Sequence, residues 1–210
     1  MVNRSLKIIQ ACDIRNEYTF VGVVSLFFKV IMSKFISYNS RLIRTPIVIR
    51  GKKYIDFGYS LTTGVGCRFD AFGGIEDSKK LIFGSNVQLN DYVHIVAMNR
   101  VVIGNDVLMA SHVFISDNSH GIYSGTSDDS HPNIPPRLRN YMLSEVRIGD
   151  NVWIGEGVII MPGVSIGNGC VIGAHSVVNS DIPCNCIAVG SPAKVIKRFN
   201  DTTKRWEKVC

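Results

Sequence analysis

The chain has 210 residues and is 46% hydrophobic, enough for one domain with a sizeable buried core. Its formal charge of +6 is uneven, because residues 1–53 hold ten Lys or Arg against Asp13 and Glu17, a local +8 that leaves −2 for the remainder. A basic end often points to nucleic acid, but basic and aromatic residues are not interleaved as in single-strand binders, so a nucleic-acid partner is excluded.

From the start, residues 1–17 are polar with scattered charges of both signs, and no cleavable signal is expected there. The next segment, Phe20 to Ile36, is strongly apolar and predicts a helix. Its uninterrupted apolar run ends at Lys29, short of the roughly 20 residues needed to span a bilayer. Two roles stay open for it. One is packing on the following domain or a neighbouring subunit; the other is a surface membrane anchor helped by Lys29, Lys34, Arg41 and Arg44. Residues 1–45 are therefore read as a helical, basic N-terminal segment.

Thr45-Pro46 opens a repeat. Apolar residues return every sixth position at Phe57, Thr63 and Phe69, and again at Phe83, Leu89 and Ile95 after an excursion through Gly73-Gly74 and the charged stretch from Glu76 to Lys80. The register slips by two residues, continues at Ile103, Met109 and Ile115, stops for the 32 residues 116–147, and resumes at Ile148, Ile154, Ile160, Ile166, Ile172 and Val178. A period of six is neither the 3.6 of a helix nor the 2 of simple alternation. Six residues make one short strand and one turn, three such units close a triangular coil, and coils stack at about 4.8 Å. Fifteen hexad starts predict an all-β, parallel β-helix of about five coils over 46–190. Cys67 and Cys170 fall in the small inward slot, and Cys184 and Cys186 lack the CxxC spacing of a redox or zinc site. The six cysteines thus fit a reducing cytoplasm better than a disulfide framework.

A solenoid has little reason to eject a loop as long as 116–147 unless the loop acts. His120, in Ile115-Ser116-Asp117-Asn118-Ser119-His120-Gly121, stands where coil gives way to loop, and an exposed imidazole there can accept a proton from an attacking hydroxyl. Trp153 is an outward aromatic on a prism face, a place where such a ring usually covers a partner subunit or the flat portion of a ligand. Gly155, Gly173 and Ala174 leave one edge bare of side chain. His94 and His112 fall on or near corners and His175 in an exposed slot. Beyond Pro183 the chain leaves the coil, and 191–210 reads as a short basic tail or helix.

The order of coil, Asp117-x-x-His120-Gly121, a Pro135-Pro136 loop, Ile148-Gly149-Asp150-Asn151-Val152-Trp153-Ile154-Gly155 and Ala188-Val189-Gly190-Ser191-Pro192-Ala193-Lys194 resembles the hexapeptide-repeat acyltransferases, and among them the bacterial polysaccharide O-acetyltransferases. The resemblance runs from about Ile47 to Arg198. It implies a left-handed coil, acetyl-CoA as co-substrate without a metal, a carbohydrate acceptor of lipopolysaccharide or capsule type, and a homotrimer with sites between subunits. It also implies His120 as general base, Asn90 on the substrate side, and Asp117 or Glu145 holding the imidazole. Trp153, Gly155, Gly173 and Ala174 would form the CoA wall, with Lys194, Lys197 and Arg198 near the CoA phosphates. Gly121 stands where the galactoside and maltose enzymes carry Pro, which favours a surface polysaccharide over a free sugar. The paired histidines five residues apart of zinc-binding solenoid enzymes are missing. N-acetylation of an amino sugar nucleotide or small xenobiotic, and a non-catalytic scaffold, are the alternatives. The expected setting is the cytoplasm, with peripheral association at the inner membrane.

Overall fold

The computed structural model describes residues 19–73 and 78–209. The expectations for the basic start and for Glu76 in the first excursion lie outside these. Each hexad folds as a short strand and a turn, and successive strands pass in rotation to three parallel sheets. Sheet A stacks Leu42–Ile43, Thr62–Thr63, Gln88–Leu89, Leu108–Met109, Trp153–Ile154, Val171–Ile172 and Cys186–Gly190. Sheet B stacks Val48–Arg50, Arg68–Ala71, His94–Ala97, Phe114–Ser116, Ile159–Ile160 and Val177–Val178. Sheet C stacks Ile55–Asp56, Leu81–Phe83, Val101–Ile103, Val146–Ile148 and Ser165–Ile166, and Ile182 bridges to its last strand.

The stack has six turns, as the six strands of sheet B count them, rather than about five. The added turn is the first one, with Leu42–Ile43 paired in parallel with Thr62–Thr63 ahead of Pro46. Its wide corner at Gly51–Tyr54 puts Phe57 out of step with Ile49, which hides the turn from a strict count of six. Leading residues such as Phe69, Leu89, Ile95, Ile115, Ile154 and Ile160 are wholly buried along the prism axis, each contributing about 1.5–3 kcal/mol. Cys67, Cys170 and Ser176 fill the small slots beside them.

At the corners the chain leaves backbone N–H groups without strand partners, and side chains from the next coil take them. Along the corner between sheets C and A, Asn105 accepts from Ser85 N at 2.8 Å, Asp150 from Asn105 N at 2.7 Å, and Asn168 from Asp150 N at 2.9 Å. The corner between sheets B and C is the one that varies in length. It carries both the excursion after Ala71 and the insertion 117–145, and it holds the two-residue slip at Met98–Arg100.

The two ends are closed differently. A 17-residue helix, α1 (Phe20–Ile36), starts at a Thr19 side chain that accepts from Gly22 N at 3.2 Å. It is pinned to the first turn near its C-terminus, where the buried Ser33 hydroxyl accepts from Ile43 N at 2.7 Å and donates to Lys29 O at 2.6 Å. At the other end, 191–209 is neither tail nor helix. Ala193–Asn200 pairs antiparallel with Cys186–Gly190, and Arg205–Lys208 pairs with it in turn, so two strands extend sheet A. Alternating exposure along Lys194, Val195, Ile196, Lys197 and Arg198 and the Phe199–Trp206 contact at 5.4 Å suit a strand, and the open edge of the last coil supplies its partner.

Candidate active site

Insertion 117–145 is anchored rather than loose. Asn118–His120 pairs antiparallel with Tyr141–Leu143, placing His120 opposite Tyr141 with ring centroids 4.7 Å apart. Gly121 follows with φ at +116°, and a Cβ there would collide with the Tyr123 hydroxyl, so only glycine lets the chain turn back beneath that ring. Tyr123 Oη donates to His120 O at 2.7 Å and accepts from Arg139 Nη1 at 2.7 Å. Arg139 also donates to Ile134 O and Pro132 O, so one guanidinium gathers the far side of the insertion onto the backbone of His120.

The imidazole itself is exposed, and among the described residues it makes no hydrogen bond. Asp117 does not hold it. That carboxylate is fully buried and accepts from Met98 N at 2.9 Å, Asn99 N at 2.7 Å and Asn118 Nδ2 at 3.1 Å. The two-residue slip widens the corner at Met98–Arg100, and Asp117 satisfies the amides that widening exposes. Glu145 is also engaged elsewhere, by Arg147 at 2.8 Å and Arg100 at 3.4 Å.

His120 opens onto a cleft of about 300 Å³ on the outer face of sheet B, with Val96, Phe114, Met161, Ser119 and His94 among its walls. His94, expected on or near a corner, begins a strand just past the turn at Asp91–Tyr92. It lies within the strand His94–Ala97, outward beside the inward Ile95, with Phe114 next to it in register. Its Nε2 is 3.1 Å from Asp70 Oδ2, and its ring meets Phe114 edge-on at 5.3 Å. The signal in the sequence is its place just before a leading residue, which is an outward strand slot and not a turn.

The other candidates lie elsewhere on the prism. Asn90, Ala110, Gly155 and Gly173 follow consecutive strands of sheet A and so form one column along the corner between sheets A and B, each amide bonded to the coil above. A Cβ on Gly155 would meet Ala174 N at 2.6 Å, so this edge is held close to bare backbone. Trp153 stands beside the column on the outer face of sheet A, 53% exposed. Lys194 is opposite Val189, which packs at Gly173, and so reaches the end of the column. Arg198 is opposite Cys186 at the far end of that strand, roughly 10 Å further on. Within one chain, then, the imidazole is at the B–C corner and the bare groove at the A–B corner. His112 stacks on Tyr92 at 5.1 Å, and His175 packs at Gly157.

Residues 145–180 match the family described as bacterial transferase hexapeptide (six repeats). The chain is 46% identical over 193 residues to WbbJ of Escherichia coli K12, provisionally named a lipopolysaccharide biosynthesis O-acetyl transferase, covering 91% of this chain and 96% of that one. It is 38% identical over 124 residues to the galactoside O-acetyltransferase of E. coli K12, 59% of this chain and 56% of that one. Among solved structures, a mutant of the N-acyltransferase AntD of Bacillus cereus, in complex with dTDP-4-amino-4,6-dideoxyglucose and coenzyme A, superposes with a TM-score of 0.64 at 25% identity, covering 79% of this chain and 83% of that one. A maltose O-acetyltransferase of Clostridium difficile 630 does so with a TM-score of 0.57 at 29% identity, covering 84% and 89%. The six-residue period, the three-sheet prism and these likenesses agree, and the chain belongs to the left-handed β-helical, hexapeptide-repeat acyltransferases.

Proposed function

We propose that this protein transfers the acetyl group of acetyl-CoA to a sugar hydroxyl of a bacterial surface polysaccharide or its precursor, with His120 as general base. The observation that carries the reading is the exposed imidazole of His120, backed by Tyr141 and opening onto the sheet B cleft. The neutral ring takes the proton of an acceptor hydroxyl as its oxygen attacks the thioester carbonyl. The tetrahedral oxyanion is held by a backbone N–H, and it collapses by expelling the CoA thiolate, which leaves with the proton from the imidazolium.

The pantetheine arm lies along the A–B corner at Gly155, Gly173 and Ala174, beside Trp153, with Lys194 toward the phosphates. Because base and groove occupy different corners of one chain, the working site is composite. A homotrimer sets the B–C corner of one subunit against the A–B corner of its neighbour, bringing Asn90 toward the acceptor. The enzyme works in the cytoplasm. No helix among the described residues is long and apolar enough to cross a membrane. Helix α1 nevertheless exposes Phe20, Phe27, Phe28, Met32 and Phe35 beside Lys29 and Lys34, which supports attachment to the inner membrane surface.

The test is acetyl-CoA turnover with hydroxyl-only and amino-bearing sugars. The wild type should acetylate the former, and His120→Ala should lose about 10²–10⁴ in rate with its circular dichroism unchanged. Undiminished turnover by His120→Ala would remove the assigned base, and acetylation confined to amines would favour N-transfer.

A further inference from the structure

Next to the His120 cleft, reached through its wall residue His94, stands a cluster of charge that the acetyl-transfer chemistry does not use. Asp70 lies on the outer face of sheet B, where side chains ordinarily meet solvent, yet it is 2% exposed. It is covered by three cationic or titratable groups from three consecutive coils. Arg68 Nε donates to Oδ2 at 2.6 Å, His94 Nε2 is 3.1 Å from the same oxygen, and Arg50 Nε is 3.5 Å from Oδ1. Oδ1 is buried without a hydrogen bond, so Arg50 meets it only by charge. Two guanidiniums thus share one carboxylate, leaving one positive charge in excess even with His94 neutral. Each guanidinium has five N–H donors, more than Asp70 can take. The side chains of Arg50 and Arg68 are 57% and 41% exposed.

Position turns this cluster toward the acceptor. His94 is itself a wall of the cleft that holds His120, and Arg68 is its register partner on the neighbouring strand. A bond from Nε2–H to Asp70 would fix the ring and leave Nδ1 as an acceptor for a sugar hydroxyl. Beyond His94 the apolar wall of Val96, Phe114 and Met161 gives way to guanidinium. Forked guanidiniums suit planar or tetrahedral oxyanions.

Resting on the acetyl-transfer reading above, we propose that Arg50, Arg68 and His94, locked on the buried Asp70, form the acceptor subsite of the His120 cleft and select a sugar carrying an anionic group, a carboxylate or a phosphate. Asp70 positions this subsite without touching the acceptor.

The test compares acetyl transfer from acetyl-CoA to methyl β-glucoside, methyl β-glucuronoside and glucose 6-phosphate, by the wild type, R68K, R68Q and R50Q/R68Q. The wild type should favour at least one anionic acceptor over the neutral one by about tenfold or more in kcat/KM, and the favoured arm names the anion. The preference should persist in R68K and collapse, through KM, in R68Q and R50Q/R68Q. H94F should raise KM for every acceptor. Equal kcat/KM for charged and neutral sugars, or a preference untouched in R50Q/R68Q, overturns the proposal. The same sugars titrated onto the wild type and followed by imidazole Hε1 resonances read the subsite without turnover. Anion binding that shifts His94 in a protein that transfers no acetyl group would leave the subsite standing and defeat the acetyl-transfer reading. No shift with any sugar would defeat the subsite.

Discussion

Asp117 shows how a residue three places from a motif histidine can serve the backbone instead. Its carboxylate closes the widened corner at Met98 and Asn99, in the coil just before the one that ejects His120. Asp117→Ala leaves those amides unpaired and should cost about 2–5 kcal/mol of stability, read as a lowered urea midpoint. The loss of activity should follow the loss of fold and not a changed pH profile. The cysteines divide in the same physical way. Burial pushes the Cys67 thiol up to about 11, desolvation outweighing the backbone N–H groups that favour the thiolate. Burial likewise raises Cys170, while Cys184 is exposed. Among the described cysteines, mass mapping after mild alkylation at neutral pH should find Cys184 modified first. Cys67 should react only on unfolding, since the thiol stays protonated until pH approaches its raised value.

At the scale of elements, the hexads are legible because packing into a narrow prism calls for a mostly apolar residue every sixth position, and the leading residues from Phe57 to Val178 are buried. What the sixfold pattern conceals is structure that obeys another period. The first turn hides behind its wide corner at Gly51–Tyr54, and the C-terminal strand Ala193–Asn200 alternates by two while Arg205–Lys208 is exposed throughout, which reads as a tail when the sixfold pattern stops. His94 reads only as lying on or near a corner, because its surroundings come from Arg68 and Asp70 in the neighbouring coil, far off in sequence. Helix α1 is the element whose length and composition are plain in the sequence but whose exposed face is not. It is pinned by Ser33 at one end and leaves Phe27, Phe28 and Phe35 uncovered. Vesicles containing anionic lipid should co-sediment the full chain but not a chain lacking residues 1–36. Equal recovery of both in the supernatant would leave the helix as a subunit contact.

On the scale of the whole molecule, the prism separates what the proposed reaction must bring together. The A–B corner offers a column of small residues, Ala110, Gly155 and Gly173, along which an extended thioester carrier can lie. The B–C corner offers the insertion and His120. A straight solenoid does not fold one corner onto another, so the proposed site would need a second copy to join them. Co-expression of two inactive chains tests this most directly: His120→Ala, which lacks the base, and Ala174→Trp, which fills the exposed groove edge. Mixed oligomers should recover acetyl-CoA-dependent transfer, because some interfaces then pair an intact imidazole with an intact groove. If the mixed assemblies stay as inactive as each parent, while both parents assemble normally, base and groove belong to one chain and the composite site is wrong.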